Sequence, residues 1–483
     1  MKVVLAGYNV DADIISELKQ KAGWSENNVT PETLSAAYAR ISRDPDDITK
    51  LREFSRKEVD KSRKSNETII FGLGHASVAE HAVFNFDIIG LSRLAVEEVQ
   101  RFRLASFTEK SQRYITLDAD FIVPEKIAAE GLEKKFVSVV NLQNRAYETL
   151  YEGLKSHLFK KHAALIETPA GARTVDGWAK EDARYAVSLA TKSQFGMTIN
   201  ARELEHVLKK FACSNLREIR VLGQKMFELV KDMSPSIIKY VTPALCDSET
   251  PKMVRKESSR FMKDICSKPE IMTKIAYHTP NGDEMLIASI LFSSTGFSYE
   301  ECLERADKME YAEKYSLVKT ALSNRAFYDG VERYFEMADI VFELIVSASN
   351  YAQLKRHRMT TQLASDYNID LGVTIPPNIS EIGMERVLLD VMRESEEFYN
   401  ELKYIAPDER DYILTNAHRR KVLVKINIRE LYHFISLRDD DHAQWDIRAT
   451  AKEMKELAEK VMPLSTMMLC GKSDFKEKCS KIF

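Results

Sequence analysis

Arg101-Phe102-Arg103-Leu104-Ala105-Ser106-Phe107-Thr108-Glu109-Lys110-Ser111-Gln112-Arg113-Tyr114 returns, altered, as Arg356-His357-Arg358-Met359-Thr360-Thr361-Gln362-Leu363-Ala364-Ser365-Asp366-Tyr367-Asn368. The losses are complementary. The first copy keeps Glu, Ser and Arg downstream but has Phe102 in place of histidine. The second keeps Arg-His-Arg and has Ala364 and Asn368 where Glu109 and Arg113 stand. A second string repeats as well: Asn200-Ala201-Arg202-Glu203-Leu204-Glu205-His206 matches Asn427-Ile428-Arg429-Glu430-Leu431-Tyr432-His433. Motif order is preserved while the spacers differ, so the period is a whole domain and not a solenoid unit. The sequence therefore predicts two tandem copies of one domain: repeat one over 1–245, a linker over 246–256, and repeat two over 257–483. Pro243, Asp247-Ser248-Glu249-Thr250-Pro251 and the basic run to Arg255 mark the linker, because turn formers replace periodic apolar residues there.

Length agrees, since 483 residues exceed what one hydrophobic core organises. Seventy basic residues are balanced by 73 acidic ones for a net charge of −3, without the basic excess of a nucleic-acid binder. Six cysteines carry no CxxC pair and no histidine at zinc spacing, which reads as reduced thiols in a cytoplasmic protein without a metal. No window reaches the ~18 uninterrupted apolar residues of a membrane span.

Periodicity predicts a strand at Lys2–Gly7 and helices over 10–21 and 33–41. A charged helix or excursion follows over 44–65, then a strand near 82–87 and a helix over 91–103. Helices are further expected over 131–160, 181–232, 301–317, 336–356, 384–403 and 428–462. Strand and helix do not alternate, so the expected class is α+β: helix-rich domains with a small antiparallel or mixed sheet, paired as a pseudo-dimer.

Two arginines one residue apart, with Ser111 and Arg113 downstream, supply guanidinium forks and a hydroxyl suited to phosphate or carboxylate oxygens. Ser111 lacks the Gly-x-Ser-x-Gly elbow and a base at hand, so it reads as a contact and not as a nucleophile.

Arg101 to Tyr114 resembles the Arg-His-Arg-x-x-Ser-x-x-x-x-Ser-x-Arg signature of the flavin-dependent thymidylate synthases. Gly74-His75-Ala76-Ser77-Val78-Ala79-Glu80-His81 and Leu437-Arg438-Asp439-Asp440-Asp441-His442-Ala443-Gln444-Trp445 resemble two further strings of that family. The resemblance implies FAD as cofactor, with NADPH and methylenetetrahydrofolate as co-substrates and deoxyuridine monophosphate (dUMP) as the methyl acceptor. It implies a nucleotide site shared between repeats. Gln353, Arg356 and Arg438 would come from repeat two, and Glu109, Ser111, Gln112, Arg113 and Arg184 from repeat one, with Arg438 catalytic at the base edge. Arg356, His357, Arg358, Glu109 and Ser77 would contact the flavin, together with Asn427, Arg429, His433, Asn200, Arg202 and His206. The reciprocal site would present Glu98, Phe211, Ala364, Asp366, Asn368 and Asp411, and so should not bind the nucleotide. A homodimer of the duplicated chain, resembling the family's tetramer, is the implied assembly. A flavoenzyme acting on another pyrimidine nucleotide, or a non-catalytic flavin- or nucleotide-binding protein, is the alternative.

Overall fold

The computed structural model describes residues 1–11, 13–14, 30–40, 48–72, 75–111, 120–263, 265 and 270–483. Repeat one forms β1 (Lys2–Tyr8), β2 (Val83–Ser92), β3 (Ala105–Glu109) and β4 (Lys192–Asn200). Repeat two forms β5 (Thr273–His278), β6 (Asp339–Ser347), β7 (Thr361–Ala364) and β8 (Arg419–Asn427). The sheet orders are β1-β2-β4-β3 and β5-β6-β8-β7, antiparallel throughout. The two halves thus share one topology, and the α+β class holds with antiparallel, not mixed, sheets.

Alternation explains the strands. In β2, Phe84, Phe86 and Ile88 are buried while Asn85, Asp87 and Ile89 are exposed; in β4, Ser193, Phe195, Met197 and Ile199 are buried between exposed Lys192, Gln194 and Gly196. Period-two burial of this kind fixes register, because a one-residue slip would turn the apolar set to water.

The helices that position the site are α1 (Arg93–Val99), α2 (Glu133–Lys161), α3 (Ala201–Ala212) and α4 (Arg217–Val230) in repeat one. Their partners in repeat two are α5 (Ala348–Leu354), α6 (Glu385–Ile405), α7 (Ile428–Arg438) and α8 (Trp445–Val461). Ser92 and Ser347 cap α1 and α5, each accepting a backbone N–H at 3.0 Å.

Several expected spans change. The segment 181–232 is not one interrupted helix: it holds β4 before α3 and α4, because its alternating apolar residues obey period two around Gly196. For the same reason 336–356 opens with β6 before α5. The first arginine motif, expected at a helix end and in the loop after it, contains edge strand β3. The segment 428–462 breaks into α7 and α8, and 301–317 into Tyr299–Lys308 and Tyr311–Ala321. The residues 246–256 lie in two helices, Leu245–Ser248 and Thr250–Phe261, none of whose residues is buried. The helix expected over 10–21 falls mostly outside the described residues.

Two of the four apolar clusters are built by both repeats. In one, Leu94, Phe136 and Leu189 meet Ala348, Phe398 and Tyr412; in the other, Tyr147, Leu150 and Tyr185 meet Leu388, Met392 and Ala417. Helices α2 and α6 pack together there, and Gln143 Nε2 donates to Ser395 Oγ (2.8 Å) and to the Ile413 carbonyl (2.7 Å). A two-way antiparallel contact pairs Ser188 with Thr415, the Leu189 N–H donating to the Leu414 carbonyl (2.8 Å) and the Asn416 N–H to the Val187 carbonyl (3.0 Å). On either side of it each repeat sends a tyrosine to the other's carboxylate. Tyr185 Oη donates to Asp446 Oδ2 (2.8 Å), and Tyr412 Oη donates to Glu218 Oε2 (3.0 Å). The halves are a pseudo-dimer sharing buried apolar surface, the dominant favourable term in such association.

Candidate functional site

Arg356 follows α5, and its Nη2 donates to Glu109 Oε2 (2.9 Å) at the end of β3 in the other repeat. The Glu109 side chain is 8% exposed and also receives Gln100 Nε2 (3.1 Å) and Ser193 Oγ (3.0 Å). Burial pushes its carboxyl upward, but Arg93, Lys355 and Arg356 together with the Gln100 bond outweigh this, so it stays below its ordinary value as a carboxylate.

His357 is buried between two polar partners. Arg438 Nε, at the last residue of α7, donates to His357 Nε2 (3.0 Å), which places the ring proton on Nδ1 facing Glu430 Oε1 (3.3 Å). Burial, then Arg438, then His433 hold its pKa well below the ordinary histidine value, so the ring is neutral. Arg438 is pinned further by Gln353, through its Oε1 (3.4 Å) and backbone carbonyl (3.3 Å). Gln353 Nε2 in turn donates to Gln444 Oε1 (3.3 Å), and Gln444 Nε2 to Tyr185 Oη (3.0 Å). Arg438 therefore reaches the interface through a chain that includes both repeats. Arg184, from repeat one, enters the same region and donates Nη2 to Ser349 Oγ of α5 (2.7 Å).

His357, Glu430 and His433 lie close enough for a metal, their ligand atoms falling within 4.8 Å of one another. The guanidinium on His357 Nε2 repels a cation there, and the Nδ1 proton already satisfies Glu430.

Arg356, His357 and Arg358 line an open groove of about 770 Å³ with Asn200 and His433. Arg358 Nη1 spans the repeats to the carbonyls of Arg103 (3.1 Å) and Ala105. Several candidates also have structural partners of their own. Asn427 caps α7 through the Glu430 N–H (2.8 Å), and Asn200 caps α3 through Glu203 (2.9 Å), so each amide oxygen already has a structural partner. Arg202 pairs with Glu80 (2.5 Å) and Arg429 with Glu336 (2.8 Å). Arg429 and His433 border a second cavity of about 480 Å³ inside repeat two. Ser77 is exposed in a short helix over Ala76–His81, and exposed His206 meets the Phe102 ring at 5.9 Å. Ser111 is half-buried after β3; Gln112 and Arg113 lie outside the described residues.

Sequence reading missed Gln100, Ser193, Tyr185 and Glu430, which hold site residues without belonging to a quoted motif role. Gln444 lay within a quoted string but had no assigned role. Its signal was its place there, three residues after Asp441 and beside Trp445.

The sequence model of the family described as thymidylate synthase complementing protein matches residues 26–236 and again 274–464. A flavin-dependent thymidylate synthase of Geobacter sulfurreducens is 32% identical over 231 residues, 46% of this chain and 87% of that protein. A UPF0159 protein of Thermoplasma acidophilum is 22% identical over 473 residues, 89% of this chain and 92% of its own. A UPF0159 protein of Chlamydia pneumoniae is 22% identical over 436 residues, covering 84% and 80%. A solved flavin-dependent thymidylate synthase from Helicobacter pylori, complexed with FAD and dUMP, superimposes on 50% of this chain and 100% of its own, with a TM-score of 0.33 and 20% identity. With its motifs present twice and the family model matching each half in turn, the chain belongs to the flavin-dependent thymidylate synthase family.

Proposed function

We propose that the chain catalyses reductive methylation of dUMP to thymidine monophosphate at one composite interface per chain, with methylenetetrahydrofolate as carbon donor and NADPH as reductant. The observation that carries this reading is the cross-repeat pair Arg356–Glu109 beside Arg438, which sits on the neutral His357. This live interface assembles cationic forks, a fixed carboxylate and a neutral imidazole from both halves.

The 770 Å³ groove suits FAD: Arg103, Arg356 and Arg358 offer charge to its phosphates, while Leu104 and Met359 offer apolar wall, and the volume lies within the range of cofactor pockets. When bound, FAD supplies the hydride chemistry. The chain's own residues bind and orient. Arg438 stabilises negative charge on the uracil edge, and its guanidinium is preorganised by Gln353 and His357, so little reorganisation accompanies the reaction. Arg184 and Arg113 hold the phosphate, with Ser111 and Gln112 donating hydrogen bonds. Glu109 fixes Arg356, and positioning of the reactants contributes much of the acceleration.

Two chains associate in this reading. Leu104 and Met359, which line the groove, are 60% and 71% exposed, apolar surface that a second chain would cover. Purified protein should be yellow and convert dUMP to a product heavier by one methyl group on mass analysis. A colourless protein, or a product from another pyrimidine nucleotide only, overturns the reading.

A further inference from the structure

At the reciprocal interface, where Arg101 and not Arg356 is the first arginine, a cavity of about 490 Å³ remains open. Arg101, Arg103, Lys355, Arg358 and Arg420 face it, against only Glu97 and Glu98. Glu97 is already neutralised inside the protein. It accepts Arg93 Nη2 (3.2 Å), Arg420 Nη1 (3.2 Å) and Tyr367 Oη (3.0 Å to each oxygen), and Arg420 lies over the rings of Tyr351 and Tyr367. The lining is left strongly cationic.

Two of those cations have no hydrogen-bonded carboxylate among the described residues. Arg356 has Glu109 across its interface, but the residue equivalent to Glu109 on the reciprocal side is Ala364, so Arg101 meets no carboxylate there among the described residues. Lys355 is 4% exposed, and its Nζ has no hydrogen-bond partner among the described residues. A buried ammonium without a partner is costly, and such groups are kept where something pairs them. Burial first, and then Arg93, hold its pKa down to about 7, against the raising effect of Glu97 and Glu109, so an arriving anion would find a group ready to take up charge. Repeat one has Gln100 at the equivalent place, so the fold itself does not require a cation.

We propose that this vestigial interface is a second anion site, taking a phosphate-bearing ligand on Arg101 and Lys355 without selecting a pyrimidine base. A guanidinium fork beside a point ammonium matches a phosphate dianion. The base-reading groups of the live interface are absent: Glu98 stands for Gln353, and Phe211, buried against Phe102 at 5.8 Å, stands for Arg438. The site goes beyond the methylation reading and does not depend on it.

Titration calorimetry on the full chain with inorganic pyrophosphate and with inorganic phosphate tests this, using wild type, R184Q and the double variant R101Q/K355Q. R184Q, with its live phosphate site weakened, should keep one saturable pyrophosphate site, and the double variant should lose that site, its affinity falling at least tenfold. The melting midpoint of the double variant should be unchanged or higher, since Gln100 already occupies the equivalent site in repeat one. No saturable binding to wild type, equal binding to the double variant, or loss confined to R184Q overturns the proposal. Displacement of pyrophosphate from R184Q by dUMP but not by a purine nucleoside monophosphate at the same concentration overturns the absence of base selection. Failure of the methylation reading shows separately, as dUMP binding that R184Q leaves intact.

Discussion

Where one interface sets Arg438 Nε 3.0 Å from His357 Nε2, the other sets Phe211 against Phe102, ring edge to ring face, with centroids 5.8 Å apart. Both members of the pair changed together, a polar couple at one site and an apolar couple at its mirror position. The scaffold around them did not change. Tyr185 on Asp446 and Tyr412 on Glu218 persist as matched bonds, and Ser347 and Ser92 each add a hydroxyl to the same carboxylates at 2.6 Å. The difference separates two demands on duplicated residues. The cross-repeat bonds near Ser188 and Thr415 hold the halves together and are needed twice; the arginine–histidine couple at the base edge is needed once. A buried phenylalanine contributes about 1.5–3 kcal/mol by burial, whereas an arginine kept without its ligand partner leaves charge to be solvated. Conversion to phenylalanine at the unused site is therefore stabilising.

The largest test of this comparison is Arg438→Ala. Removal of one preorganised donor of this type lowers rate by about 10²–10³, and we expect dUMP methylation to fall by that factor while circular dichroism and melting show a folded chain. Phe211→Leu at the mirror position should leave the rate within twofold and cost stability only, about 1 kcal/mol for a repacked core. Comparable rate losses in the two variants would end the assignment of one live interface.

A second test counts sites. Titration calorimetry should find one dUMP per chain, and Arg113→Ala should weaken that binding at least tenfold while Asn368→Ala should not. Asn368 is occupied structurally, its Oδ1 accepting the Asp370 N–H at 3.0 Å. Two equivalent sites per chain, or equal effects of the two variants, would mean that the reciprocal interface also reads the nucleotide. The assembly gives a smaller effect to look for: light scattering of flavin-loaded protein should give twice the 55.3 kDa of one chain.

Much of this was legible from residues, and the failures have a physical pattern. The repeated arginine motif located both interfaces because charge-bearing strings keep their spacing when the connecting segments drift. Strands β4 and β6 were read as helix because each runs without a break into the helix that follows it, α3 or α5, whose longer period absorbed a short alternating run; pairing with β2 and with β8 settles the strands. Tyr185 and Glu430 escaped notice for a different reason. Each acts through a partner far away in sequence, and a single chain offers no sign that Tyr185 and Asp446 meet. Asn200 and Asn427 show the converse: a motif shared with the family singles them out, yet their side chains cap α3 and α7.

The smallest expected effect uses His357, the residue whose mirror is Phe102. Burial, Arg438 and His433 hold its pKa well below the ordinary value of ~6.5. Between ~6.5 and that lowered pKa the unfolded chain takes up a proton that the folded chain refuses, so stability falls as pH falls, by at most ~1.4 kcal/mol per pH unit. Asp182 and Asp411, both raised to about 6 by burial, act oppositely. Folded, they keep protons that the unfolded chain has released, so their contribution grows as pH falls through 6 and masks the histidine in wild type. The difference between wild type and His357→Phe removes that masking, because the two aspartates are common to both. Urea unfolding should show the stability of wild type falling relative to that of the variant between pH 6.5 and 5. Parallel profiles would show that the imidazole accepts a proton in the folded chain. Arg438 would then not be the donor to His357 Nε2, and the contrast between the two interfaces would lose its polar half.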